Sequence, residues 1–126
     1  MTQTLSSQDF DAVSGMSADD RFDHLVEQTV KREAIWALRS EKGLVIMSSD
    51  GEECLPVWPH PDFAAAWATG DWSDCEPFKV DLAAWVERWL PGMKNDGLFL
   101  AAFPVGEEET SVVAPDDMKA AIDARL

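Results

Sequence analysis

Two histidines, two cysteines and a large surplus of carboxylates are the reactive groups of this 126-residue sequence. His60 stands between Pro59 and Pro61, just after Trp58 and ahead of Asp62. A stiff Pro-His-Pro turn holding an imidazole beside an acid suits general-base chemistry; a loop histidine within an acidic stretch is the plainer reading. Cys54 or Cys75 with His60 would form a nucleophile pair only if a nearby cation lowered the thiol pKa, and the stretch from Asp50 to Phe78 holds no Lys or Arg. The two cysteines match no zinc spacing, so two reduced, partly buried thiols are expected. The run Asp71-Trp-Ser-Asp-Cys-Glu imitates a calcium loop but places Glu76 where the turn needs Gly and Leu82 where a bidentate Glu is needed. Phosphate-binding, dinucleotide-binding, zinc-protease and nucleophile-elbow motifs are absent. No metal, cofactor or catalytic residue is assigned.

What remains is a surface. The Asp50–Phe78 stretch carries Asp50, Glu52, Glu53, Asp62, Asp71, Asp74 and Glu76, and Trp58, Trp67 and Trp72 flank its proline-rich turn. Indoles beside unpaired acids are what a contact face for Arg- or Lys-bearing partners would present. Trp58, His60, Asp62, Trp67, Asp71, Trp72, Asp74 and Glu76 are therefore the candidate binding residues. The expected function is a non-catalytic protein-interaction domain, immunity-like or adaptor, for a basic protein partner. Packing of the same indoles over one end of a sheet is the plainer reading. A small-ligand pocket or enzyme site around His60 is the alternative, and a homodimer through a strand edge or the Trp-bearing face is a third arrangement.

These residues need elements to position them. Ser17 precedes Ala-Asp-Asp, an N-cap followed by first-turn acids, and Phe22, Leu25, Val26, Thr29 and Val30 form one helical stripe ending near Arg32 or Glu33. His24 lies off that stripe and should face solvent. Period-two patterning then predicts strands over 34–39, 44–47 and 53–58 as an antiparallel meander, with Trp36 in the core and Pro56 marking an edge strand or a strand that breaks early. Asp62 should cap a short helix to Trp67, stopped by Gly70. A strand over 76–80 follows. Leu82, Trp85, Val86, Trp89 and Leu90 give the clearest helix, capped by Asp81 and ended by Pro91-Gly92. Strands near 98–103 and 110–113 and a helix opening at Pro115 complete the order. The predicted fold is α+β, a mostly antiparallel sheet with helices packed on one face. Residues 1–16 read as a flexible N-terminal arm, with a short helix from Ser7, and 17–126 as one domain.

Composition sets limits on partners. With 24 acids against 10 basic residues the net charge is −14, which excludes phosphate-driven nucleic-acid binding and docking on anionic membranes. No signal-like or membrane-spanning apolar run is present, so a cytoplasmic location is expected.

The succession Trp36, Leu55-Pro-Val-Trp58, Phe78 and Trp89-Leu-Pro-Gly-Met-Lys-Asn-Asp-Gly-Leu98 resembles the bacterial DUF2750 family, over roughly Phe22 to Met118. Where such families commonly continue with Val-Gly-Val-Asn-Trp, this chain has Phe99-Leu-Ala-Ala-Phe103, so no role for an Asn or Trp there carries over. The resemblance implies a small bacterial cytosolic domain and supplies no catalytic residues.

Overall fold

The structure, a computed structural model, describes residues 15–41, 43–49, 51–68, 74–104 and 111–125. The expected arm and its short helix fall outside these residues except for Gly15 and Met16.

Helix α1 (Ala18–Arg32) begins as the sequence predicts: Ser17 Oγ accepts from the Asp20 amide at 3.1 Å, and Asp19 and Asp20 sit at the positive end of the helix dipole. Leu25, Val26 and Thr29 are buried. Strand β1 (Ala34–Ser40) pairs antiparallel with β5 (Glu76–Asp81), from Ala34 opposite Asp81 to Arg39 opposite Glu76, and with the short β2 (Gly43–Leu44). The predicted strand over 44–47 is split. The Val45 amide still reaches the Leu38 carbonyl at 2.9 Å, after which the chain leaves that sheet and β3 (Met47–Ser49) pairs with β4 (Glu52–Val57). The meander thus bends across two sheets. The second has the order β3-β4-β6-β7, with β6 (Phe99–Ala102) and β7 (Ser111–Val113). One antiparallel pair joins the sheets: Trp36 and Trp58 exchange both backbone hydrogen bonds, at 2.8 and 2.7 Å.

Among the described residues only β4 with β6 runs parallel, and the other strand pairs are antiparallel. Pro56 is therefore not on an edge strand, because β4 lies between β3 and β6. The hydrogen-bond phase explains why it is tolerated. Val57 offers its carbonyl toward the β6 side, to Phe103, and Trp58 points the other way, to Trp36. Pro56 shares Trp58's direction and faces the gap between the last β3 pair, Met47 with Cys54, and the Trp36 bridge. No ladder bond is lost there.

Helix α2 (Pro61–Trp67) follows β4 directly. Helix α3 is α-helical over Leu82–Ala84, π-helical over Trp85–Trp89 and α-helical again over Leu90–Asp96. The expected stop at Pro91-Gly92 does not occur. A proline ring inside a helix collides with the carbonyl four residues back; the wide π turn immediately before Pro91 opens that spacing and lets the helix run on. It stops at Gly97 (φ 71), whose amide donates to Lys94 while that of Leu98 donates to Met93, a Schellman ending. Helix α4 (Pro115–Asp123) closes the chain.

One apolar core joins these elements, with Leu25, Ile35, Leu38, Leu55, Trp58, Trp85, Leu100, Met118 and Ile122 all at or below 1% exposure. Each such aliphatic side chain contributes about 1.5–3 kcal/mol by leaving water. The result is a mixed α+β fold. Trp36, expected in the core, is half-buried on β1.

Candidate functional site

The turn from β4 into α2 carries four of the candidate residues, and the structure turns two of them inward. Trp58 is fully buried; its Nε1–H donates to the Pro104 carbonyl at 2.8 Å and its ring lies 5.5 Å from that of Trp67. A buried indole needs such an acceptor, and the chain supplies it from 46 residues away. His60 is 2% exposed, and its Nδ1 accepts from the Asp62 amide at 3.0 Å. His60, not Asp62, is thus the N-cap of α2. Accepting that bond requires a lone pair on Nδ1, so this nitrogen is engaged by the backbone rather than held ready as a base. Asp62 Oδ2 lies 3.9 Å from it. The contact-face reading does not hold for Trp58 and His60, which are both interior groups; for Trp58 the plainer packing reading does. Trp67 and Asp62 remain partly accessible.

Of the other four candidates the structure describes two, Asp74 and Glu76. Asp71 and Trp72 lie outside the described residues. Asp74 is exposed, with Oδ1 3.8 Å from Cys75 Sγ. Desolvation, and then this carboxylate, push the Cys75 pKa up, which disfavours a thiolate and with it the nucleophile reading. Glu76 meets Arg39 at 3.3 Å, and the Arg39 guanidinium lies 4.9 Å from the centre of the Phe78 ring. An acid expected to be unneutralised has its cation on the neighbouring strand.

A second cluster escaped sequence reasoning. Arg21, in the first turn of α1, is 1% exposed; its Nε donates to the Phe103 carbonyl at 3.2 Å and Nη1 to that of Met16 at 2.9 Å. Phe103, just past β6, adopts φ 56, a left-handed conformation that costs a bulky residue about 1–2 kcal/mol. That turn aims its carbonyl at Arg21 and places its ring 4.8 Å from Phe63 and 6.0 Å from His24. A hydrogen bond from a charged donor contributes about 1.5–3 kcal/mol, enough to offset the strain. The cluster ties the carboxyl ends of β4 and β6 to α1. His24 is consequently half-buried rather than solvent-facing, and burial holds its pKa below the usual value, with Glu27 opposing and Arg32 adding to the effect.

Elsewhere among the described residues lie further concave surfaces. One, about 330 Å³, runs between residues 44–46 and the second half of α3; it exposes Leu44 and Ile46 and is rimmed by Arg88 and Asp96. Another, about 440 Å³, lies where α1 ends and α3 begins, with Leu82, Ala83 and Val86 as apolar lining and Glu33, Asp81 and Glu87 as its acids. No group of three or more His, Cys, Asp or Glu among the described residues has the geometry to hold a metal ion.

A model of the protein family of unknown function DUF2750 matches residues 22–122. The chain belongs to the DUF2750 family. The match opens within α1 and closes within α4, so it takes in the two sheets and at least part of each of the four helices of the described residues. Its Trp89–Leu98 block is the second half of α3 with the Schellman ending, a structural role that accounts for Pro91, Gly97 and Leu98 without a site. No curated protein and no solved structure matches the chain. No helix among the described residues is long and apolar enough to cross a membrane.

Proposed function

We propose that this DUF2750 protein is a non-catalytic interaction domain that binds a basic protein, in the manner of an immunity protein or an adaptor. The observation that carries the reading is where the charge lies. Every described Asp and Glu except the partly accessible Asp62 is exposed. Of the ten basic residues, Arg39, Lys79, Lys94 and Lys119 already face acids within the fold, and Arg21 is buried. With all ten cations counted the chain still carries an excess of 14 negative charges, and so projects a field that steers and holds positively charged partners. The engagement of His60 Nδ1 and the raised Cys75 pKa take support away from a catalytic reading.

The immobilised protein should capture a partner of high isoelectric point from lysate of its source at about 50 mM salt and release it by about 500 mM, where the screening length falls to a few ångströms. Capture that persists unchanged at high salt, or only of acidic proteins, contradicts the proposal.

A further inference from the structure

We propose that the cleft between the end of α1 and the start of α3 is the docking site for the basic partner, and that it takes an extended segment carrying Lys or Arg beside an aliphatic residue. The inference rests on the interaction-domain reading and goes beyond it by naming the surface. At about 440 Å³, lined by Leu82, Ala83 and Val86 with Glu33, Asp81 and Glu87 and no cation, the cleft joins an apolar surface to an acidic one. Long basic side chains match that combination, since their aliphatic stems lie on apolar surface while their heads seek carboxylates.

Local structure argues that these acids are not there for the fold. Glu33 occupies the αL cap of α1 (φ 56), a place for Gly or Asn, and puts a negative charge at the negative end of the helix dipole. Asp81 is at the N-cap of α3 yet makes no side-chain capping bond, while the Leu82 amide that follows it donates to the Glu33 carbonyl at 2.9 Å. Its carboxylate is 77% exposed and touches only the limit of an ion pair with Lys79, at 4.0 Å. Glu87 is exposed on the π turn, and neither it nor Glu33 has an ion-pair partner among the described residues. Neither the Glu33 nor the Asp81 carboxylate caps a helix, which leaves both free to meet the cations of a partner.

The test titrates three probes into the full chain at about 0.15 M salt: a peptide of three Arg-Leu-Lys repeats, the same peptide with Gly for Leu, and spermine. Calorimetry on wild type, on Glu33→Gln/Asp81→Asn/Glu87→Gln and on the isocharge control Glu41→Gln/Glu52→Gln/Glu53→Gln should show the Leu peptide binding most tightly. Its affinity should fall about tenfold or more in the first variant and less than about threefold in the control. Amide shifts of the wild type should move chiefly over 33 and 81–87, a readout that needs no variant. Equal losses in both variants, or shifts spread over the whole surface, overturn the cleft and leave the acidic-surface reading standing. Spermine or the Gly peptide binding as tightly as the Leu peptide overturns the extended-segment assignment. Failure of every basic probe to bind the wild type, together with salt-indifferent capture, overturns both.

Discussion

Replacing Glu33 by Gly should make the protein more stable and a poorer binder. At φ 56 a non-glycine residue carries about 1–2 kcal/mol of backbone strain, which glycine removes. Glycine also widens the unfolded ensemble, returning about 0.4–1 kcal/mol of that gain. Removing a carboxylate from the C-terminal end of α1 adds about 0.3–1 kcal/mol. Glu33 is exposed, so no buried contact is lost. The net expectation is about 1 kcal/mol of stabilisation, or a rise of about 4 °C in Tm for a chain of this size. Thermal and urea melts of wild type, Glu33→Gly and Glu33→Gln separate the contributions: Gln keeps the strain and should recover only the dipole share. Binding of the basic Leu peptide should weaken in both variants. A Gly variant that melts at or below the wild-type temperature would refute the strain argument, and undiminished peptide affinity would remove Glu33 from the docking cleft.

Other consequences follow from the interior groups. Trp58→Phe leaves the Pro104 carbonyl without its indole donor and should cost about 1–3 kcal/mol in urea melts while leaving partner affinity unchanged; lost affinity at unchanged stability would return Trp58 to the binding surface. His60→Asn retains a side-chain acceptor for the Asp62 amide and should be destabilised by at least about 1 kcal/mol less than His60→Ala; equal melts would deny the capping role. His24 has its pKa lowered in the fold from an ordinary 6.5, so the unfolded chain binds its proton more readily. Its contribution to stability is present above 6.5 and is lost as pH falls through the lower folded value. The difference in Tm between wild type and His24→Gln should shrink over that window, and a pH-independent difference would contradict it.

Local signals were legible wherever local chemistry decides. Ser17 and the stripe from Phe22 to Val30 set α1, alternation set β1, and Pro115 with its following acids opened α4. What failed was decided by distant partners. Pro56 reads as an edge residue until β4's neighbour is seen to change from β3 to β1 at that very position. Pro91-Gly92 reads as a stop because the π turn that accommodates the proline leaves no pattern in composition. Trp58 reads as a candidate contact residue because its acceptor comes from distant Pro104, and nothing local marks Arg21, whose acceptors are the carbonyls of Met16 and Phe103. Of the candidate site, Asp74 and Glu76 are exposed as expected, but Arg39 from β1 meets Glu76. The acids of the cleft left one faint trace: a helix ending at Arg32 with no Gly or Asn after it.

The most direct test of a charge-driven interaction domain is the association rate of the captured partner as a function of ionic strength. The account predicts a rate that falls about tenfold or more between roughly 20 and 500 mM salt, with dissociation far less affected. An association rate indifferent to salt would contradict it.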